Sequence, residues 1–174
     1  MANCNCSVAE IEAFCGGINA PDLDRMLSIT CQDELLAIAA PGTGTHTITD
    51  DITYRAAVTG PPAVAEGKFY KWFFSKDNSS YSSERDENGL WNTEVKIFIP
   101  KLQSTTTYTF NGLTGENLVL VVPDRNGEER LIGSLTNGAS VSVKETTSPK
   151  NGYEVTVKWQ SAYAPYYYTG ALSY

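Results

Sequence analysis

The chain has 174 residues, 41% of them hydrophobic and 19% charged, with 10 tyrosines, 6 phenylalanines and 3 tryptophans, which fits one folded domain and excludes a disordered chain. The formal net charge is −7, and residues 1–40 contribute −5 of it through six acidic residues and one arginine. Because nucleic-acid clamps and membrane-surface anchors need clustered lysine and arginine, this charge argues against both.

Residues 1–40 predict a short helix followed by a first strand, as part of the same domain as the rest of the chain. The helix is expected over residues 7–14, since Ser7 is a suitable N-cap and a glutamate follows three positions later, as in a capping box. Residues 24–31 are rich in β-branched side chains and predict a strand. Residues 32–40 fit either a helical turn or a second strand.

All four cysteines lie in the first 31 residues: Cys4, Cys6, Cys15 and Cys31. Their position does not fit a disulfide framework for the whole domain, and their spacing does not match paired zinc ligands. The sequence also starts without the basic and apolar regions of a signal peptide and has no apolar run near the roughly 20 residues that span a bilayer. We therefore expect unpaired thiols in a reducing compartment and no membrane span.

Residues 41–66 predict an extended loop or arm. They are rich in Gly, Thr, Pro and Ala, and only Ile48, Ile52 and Tyr54 form a strand-like pattern. Loops longer than about 15 residues are usually functional or mobile. Both a partner-binding arm and a plain flexible excursion remain open at this point.

Strands dominate the remainder, residues 67–174. Residues 68–75 are packed with aromatic side chains, residues 81–86 are polar, and residues 91–99 alternate between apolar and polar side chains. The Asn88-Gly89 turn joins the last two segments into a long predicted hairpin.

Residues 104–115 fit either a strand, by their threonine content, or a helix with Ser104 as its N-cap. The next hairpin is the clearest signal, because residues 118–122 and 130–133 flank an Asn-Gly turn. A second alternating pair follows at residues 139–144 and 153–159. About seven strands with one or two short helices predict a mostly β, α+β fold, an antiparallel β-sandwich or barrel.

No catalytic, cofactor or metal motif is evident in the sequence. The single histidine, His46, lies in the Gly/Thr-rich arm, and no nucleophile elbow, zinc-protease or phosphate-loop motif occurs. Neighbouring carboxylates are better explained as solvated charges at strand ends than as glycosidase or calcium sites. These carboxylates are Asp50, Asp51, Glu84, Asp86 and Glu87. We predict a protein that is not an enzyme and has no cofactor or metal.

The C-terminal region is crowded with tyrosines, at positions Tyr163, Tyr166, Tyr167 and Tyr168. Four tyrosines so close together are not expected to be buried in one small domain with every hydroxyl satisfied, so some should lie at a protein interface. A strand covering its own sheet and a sugar-stacking platform are the alternatives. Four further interface candidates come from the arm and the aromatic strand: His46, Ile48, Tyr54 and Trp72.

A series of short motifs runs through the second part of the chain: Gly67-Lys-Phe-Tyr, Phe74-x-Lys-Asp77, Lys96-Ile-Phe-Ile-Pro-Lys-Leu102, Leu118-Val-Leu-Val-Val-x-Asp-Arg-Asn-Gly127, Leu131-Ile-Gly133, Lys150-Asn-Gly-Tyr-Glu-Val-Thr156 and Pro165-Tyr-Tyr-Tyr-Thr-Gly170. In this order they resemble structural tail proteins of tailed bacteriophages that infect Bacteroides-like bacteria, and tail tube proteins in particular. None of the motifs is catalytic, and the first 66 residues match less well.

The resemblance implies a β-sandwich flanked by a helix, and it favours the helix for residues 104–114. It also implies that sheets of neighbouring copies join edge to edge into rings, commonly of six, which stack into a tube. Open sheet edges and a long loop such as residues 41–66 suit such contacts.

The partners that the resemblance implies are further copies of this chain, other phage tail proteins and double-stranded DNA that passes through without specific binding. The implied location is the virion tail, assembled in the host cytoplasm. Acidic residues facing the lumen would repel the DNA phosphates, and the candidates are Glu84, Asp86 and Glu94.

Other functions remain open from the sequence. A tail terminator, completion or baseplate component would have the same architecture. A carbohydrate-binding adhesin module would use Trp72, Trp91 and the C-terminal tyrosines as stacking surfaces. A hydrolase would depend on carboxylates such as Asp51 and Glu84.

Overall fold

A computed structural model of the chain describes residues 26–61, 63–113, 117–123 and 128–174. This part of the chain is mostly β, as predicted, with a single α-helix. The strands are β1 (Met26–Cys31), β2 (Leu35–Ala37), β3 (Thr47–Ile48), β4 (Thr53–Tyr54), β5 (Tyr70–Phe73), β6 (Ser75–Arg85), β7 (Trp91–Pro100), β8 (Leu118–Pro123), β9 (Glu129–Ile132), β10 (Ser140–Thr146), β11 (Gly152–Ser161) and β12 (Tyr166–Tyr168). The helix α1 is Ser104–Asn111, and a 3₁₀ turn occupies Gln32–Glu34.

The strands form two main sheets and one small pair. The six-stranded sheet has the order β3-β12-β9-β8-β1-β5, and the four-stranded sheet has the order β10-β11-β7-β6. Strands β2 and β4 pair separately. Neighbouring strands are antiparallel except β12 and β3, which are parallel. The predicted hairpins β6–β7, β8–β9 and β10–β11 are all confirmed.

The larger hydrophobic core lies between the two sheets. Every second residue of β7 and β11 faces it, so that Val95 and Val157 stand opposite each other across the strands and are almost fully buried. The six-stranded sheet contributes residues such as Ile29 and Leu120. The period-2 pattern of the sequence therefore gives the sandwich its buried faces.

Helix α1 closes one side of this core. Phe110 contacts Trp72 and Tyr153 edge to face, with ring centroids 5.4 Å and 5.0 Å apart. The buried Tyr153 hydroxyl donates to the Gln103 carbonyl and accepts the Gln103 N–H, both at 2.9 Å. These tertiary contacts explain why a threonine-rich segment, ambiguous from its propensities, is helical.

A second, smaller core covers the opposite face of the six-stranded sheet. Ile48, Ile52, Phe69 and Tyr168 pack there against β8 and β9. Residues 41–66 are mostly loop, and their two isoleucines, Ile48 and Ile52, bury their side chains on the chain's own sheet. Residues 42–46 and 56–61 are exposed throughout.

Cys31 lies fully buried in the larger core and is disulfide-bonded. The other three cysteines, and so its partner, lie outside the described residues, as does the helix predicted over residues 7–14. The prediction of unpaired thiols is wrong for Cys31. Spacing along the sequence is a weak guide here, because a disulfide requires only that two Cβ atoms approach to about 4 Å in space.

Candidate assembly surfaces

The four-stranded sheet has two open edges. Strands β6 and β10 are its outermost strands, and no strand of the described chain pairs with their outer sides. Strand β10 has 7 residues and β6 has 11, with a register irregularity between Ser75 and Ser80 that leaves Ser80–Arg85 as its regular part. Neither strand contains proline in its interior. Rows of unpaired backbone N–H and C=O groups of this length are templates for pairing with another chain.

The two edges run in opposite directions. Each neighbouring pair in the order β10-β11-β7-β6 is antiparallel. With four alternating strands, the first and last strands must point in opposite directions. A second copy related by a simple rotation can therefore place its β10 antiparallel to β6 of the first copy.

The outer face of the four-stranded sheet is polar and has no second layer over it in the described part of the chain. Among the described side chains of its strands are three glutamates and three lysines, namely Glu84, Glu94, Glu154, Lys96, Lys144 and Lys158. Lys150, in the turn between β10 and β11, lies 6.0 Å from the centre of the Phe98 ring on the same face.

The lysines of this face lie beside its glutamates. The Glu94 carboxylate is 2.7 Å from the Lys96 ammonium and 3.8 Å from that of Lys158, and Lys144 is 3.2 Å from Glu154. The hydrogen bond from Lys96 lowers the pKa of Glu94. These exposed ion pairs add little stability, but they reduce the free positive charge of the face.

A chain of amide side chains crosses one end of this face. Gln160 donates to the Asn92 side-chain oxygen at 2.9 Å, Asn92 donates to the Asp86 carboxylate at 3.2 Å, and Asn137 donates to the Gln160 carbonyl at 2.7 Å. The network borders a shallow depression of about 630 Å³. Because these groups already satisfy one another, the face is ordered before any partner arrives.

The predicted lumen-facing acids separate in the structure. Glu84 and Glu94 lie on the outer face, since their cross-strand partners, Asn92 and Ser82, share that side of the sheet. Asp86 lies instead in the β6–β7 turn, where its carboxylate accepts the N–H groups of Leu90 and Asn88 at 2.9 Å each. These hydrogen bonds lower the pKa of Asp86, and the bond from Leu90 contributes most. The strands of this face therefore carry lysines as well as glutamates, and Asp86 stabilises the turn; that these acids face a lumen stays a prediction.

Several predicted interface residues are buried inside the chain's own fold. Trp72 is 0% exposed, Tyr168 1% and Ile48 2%. The Tyr168 hydroxyl donates to the Ala171 carbonyl at 2.9 Å and accepts the Ile52 N–H at 3.3 Å. For these residues the interface prediction is wrong, because arm and C-terminal segment supply the partners from within the chain.

Two further tyrosines also have internal partners. The Tyr167 hydroxyl accepts from the Arg130 guanidinium at 2.8 Å, and the guanidinium lies 4.3 Å from the centre of the same ring. The Tyr54 hydroxyl accepts the Ser173 N–H at 2.8 Å. The surplus of tyrosine is thus largely used within the domain.

The remaining candidates form one surface cluster, which we call the aromatic patch: the exposed His46 and Tyr163 and the partly buried Tyr166. The rings of His46 and Tyr166 have centroids 4.5 Å apart, and those of Tyr163 and Tyr166 are 6.4 Å apart. Tyr163 is 64% exposed. The patch lies at the β3–β12 margin of the six-stranded sheet.

The residues suggested for other functions are not brought together. Asp51 accepts the Ala171 N–H beside the smaller core, whereas Glu84 lies on the far side of the sandwich. The buried Trp72 has no face available for a sugar. Among the described residues there is no group of three potential metal ligands, and no helix is long and apolar enough to cross a membrane.

We did not predict which strands would form the open edges, although the Ser-Val-Ser-Val-Lys alternation of β10 is typical of an edge strand with one polar side. Comparison with protein-family models, with curated proteins and with solved structures gives no match for the chain.

Proposed function

We propose that this chain is a structural subunit that assembles with copies of itself, by pairing β6 of one copy with β10 of the next. In line with the sequence resemblance, we propose the tail tube of a tailed bacteriophage as the assembly, with stacked rings, six copies in each, that conduct phage DNA. The observation that carries this proposal is the pair of long open edges, with opposite directions, on one four-stranded sheet.

The edges are matched in length and chemistry. The regular part of β6, Ser80–Arg85, is about as long as the seven-residue β10. Ser82 and Ser142 lie near the middle of these stretches and both belong to the outer face. Pairing of the two edges would continue both the outer polar face and the inner apolar face from one copy to the next. Such a head-to-tail contact closes into a ring when the rotation between copies permits.

The outer face suits a surface along which DNA passes. Lysines attract phosphates and raise affinity when they are free. Here Lys96 and Lys158 lie beside Glu94, and Lys144 lies beside Glu154, so the positive charge of these three lysines is partly neutralised within the face. The net charge of −7 on the whole chain adds a weak repulsion over longer distances.

The same edges would serve a tail terminator, completion or baseplate protein, which forms one ring and not a stack. The number of copies per purified virion separates the two, since a tube subunit is present in many rings and a terminator in one.

The assembly proposal is tested by placing charges on the two edges. We expect the wild-type chain to form rings or tubes, seen by light scattering and negative-stain electron microscopy. Ser82→Lys combined with Ser142→Lys should leave monomers at low salt, because like charges opposite each other destabilise strand pairing. Ser82→Lys combined with Ser142→Glu is the matched control and should assemble. A wild-type chain that stays monomeric at high concentration, or a double-lysine variant that assembles normally, would refute the proposal.

A further inference from the structure

We propose that the aromatic patch of His46, Tyr163 and Tyr166 is a binding site for a neutral saccharide. This site lies at the margin of the six-stranded sheet, whereas the assembly proposal assigns the contacts between copies to the edges of the four-stranded sheet. The two proposals concern different surfaces and can succeed or fail separately.

Backbone pairing of β3 and β12 holds the His46 and Tyr166 part of the patch in place. The Tyr167 N–H donates to the His46 carbonyl at 3.0 Å, and the Thr169 N–H donates to the Ile48 carbonyl at 3.0 Å. His46 Nε2 lies 3.1 Å from the Ala164 carbonyl. Because a carbonyl only accepts, Nε2 donates this hydrogen bond and Nδ1 is left for another partner. A site fixed in this way loses little conformational freedom when a ligand binds.

The chemistry of the patch is that of an amphipathic platform. The ring faces carry partial negative charge and attract the C–H groups on the apolar face of a sugar ring, while the tyrosine hydroxyls and His46 Nδ1 offer hydrogen bonds at the edges. Burial raises the pKa of Tyr166, and the nearby Tyr163 hydroxyl is a smaller cause of the same shift. The patch itself contains no lysine, arginine or carboxylate side chain, which suits a neutral ligand.

The size of the patch argues for a small ligand over a protein partner. An aromatic side chain can bury roughly 150–250 Å² when it is fully covered. Three rings that are already in contact with one another offer less than the roughly 800 Å² per partner that a stable protein interface needs. They match one or two sugar rings.

Binding is tested with the full chain and a panel of neutral oligosaccharides, namely cellohexaose, maltohexaose, xylohexaose and chitohexaose, by saturation-transfer NMR and calorimetry. We expect at least one to bind. Tyr163→Ala should weaken that binding about tenfold, since loss of one stacking ring removes most of a weak interaction. Tyr163→Phe keeps the ring and should bind within about threefold of wild type. Tyr108→Ala, at a tyrosine that is 80% exposed on α1, is the matched control and should change nothing.

The opposite results would overturn the site. These are no binding by any member of the panel, or binding that Tyr163→Ala leaves intact. If Tyr163→Ala changes the sedimentation of the chain and not its sugar binding, the patch is a contact between copies and the saccharide proposal is wrong. Because the charge-swap variants at Ser82 and Ser142 do not touch the patch, their outcome is read independently.

Discussion

The hydroxyl of Tyr168 offers a direct test of how the predicted arm is held on the six-stranded sheet. It is the acceptor for the buried Ile52 N–H and the donor to the Ala171 carbonyl. Tyr168→Phe keeps the ring, which is 1% exposed, and removes only these two bonds. Ala171 is exposed, so its carbonyl can turn to water, whereas Ile52 is 3% exposed and its N–H is left without an acceptor.

The expected cost follows from that single buried donor. An unsatisfied buried N–H costs about 1–3 kcal/mol, and we expect a loss of about 1.5 kcal/mol in the free energy of unfolding. With a urea dependence of roughly 2 kcal/mol per molar, the midpoint should fall by about 0.7 M. Urea titration followed by tryptophan fluorescence measures this, since Trp72 is fully buried in the folded chain.

Tyr108→Phe is the matched control, because Tyr108 is 80% exposed and its hydroxyl faces solvent. Its midpoint should stay within the error of wild type. If Tyr168→Phe also leaves the midpoint unchanged, the arm is not held by this hydroxyl and the explanation given for the C-terminal tyrosines is wrong.

Three further predictions concern stability. Burial raises the pKa of Tyr168 to about 12 from 10.0. The protonated hydroxyl therefore contributes fully to the free energy of unfolding below pH 10, and this contribution is lost as pH rises through 12. The wild type should therefore lose roughly 1–3 kcal/mol relative to Tyr168→Phe across that range, as urea titrations at a series of pH values would show. Gly133→Ala should cost about 2 kcal/mol or more, because Gly133 has φ +96° and a Cβ there would lie 2.6 Å from the Leu118 carbonyl oxygen. Gly44→Ala is the control, since Gly44 has φ +75° but no atom within 4 Å of the added Cβ, and it should cost about 1 kcal/mol in the same titration. Phe110→Ala should cost roughly 3–5 kcal/mol by opening a cavity between α1 and the larger core, measured as a fall in the thermal midpoint.

Local sequence patterns were sufficient to predict the main strands of the sandwich. The alternation of β7 and β11 and the Asn88-Gly89 turn predicted hairpins that the structure contains. Gly89 has φ +84°, which explains why glycine stands at that turn. Period and turn chemistry act over a few residues, so they can be read without knowledge of the rest of the fold.

The arm and the tyrosines could not be predicted in the same way. Tyr168 and Ile52 are 116 positions apart in the chain, and Tyr54 and Ser173 are 119 apart. Whether a hydroxyl is satisfied within the chain depends on such distant partners, which local patterns do not contain. The excess of tyrosine therefore predicted an interface where the fold largely has internal hydrogen bonds.

Charge raised the same difficulty. Counting acids near Glu84 and Glu94 suggested a repulsive wall, but Lys158 is brought beside Glu94 by pairing with a strand more than 60 residues away. The pairing of Lys158 with Glu94 depends on how the strands are arranged in the sheet, and neither strand alone predicts it.

The central claim, that β6 of one copy pairs with β10 of the next, is tested most directly by cysteine cross-linking under mild oxidation. Ser82→Cys with Ser142→Cys in one chain should give a ladder of covalent multimers on a non-reducing gel. A mixture of the two single variants should stop at dimers. Each single variant alone should match the wild type, which controls for the chain's own four cysteines. A double variant that remains monomeric, or single variants that dimerise by themselves, would contradict head-to-tail pairing of these edges.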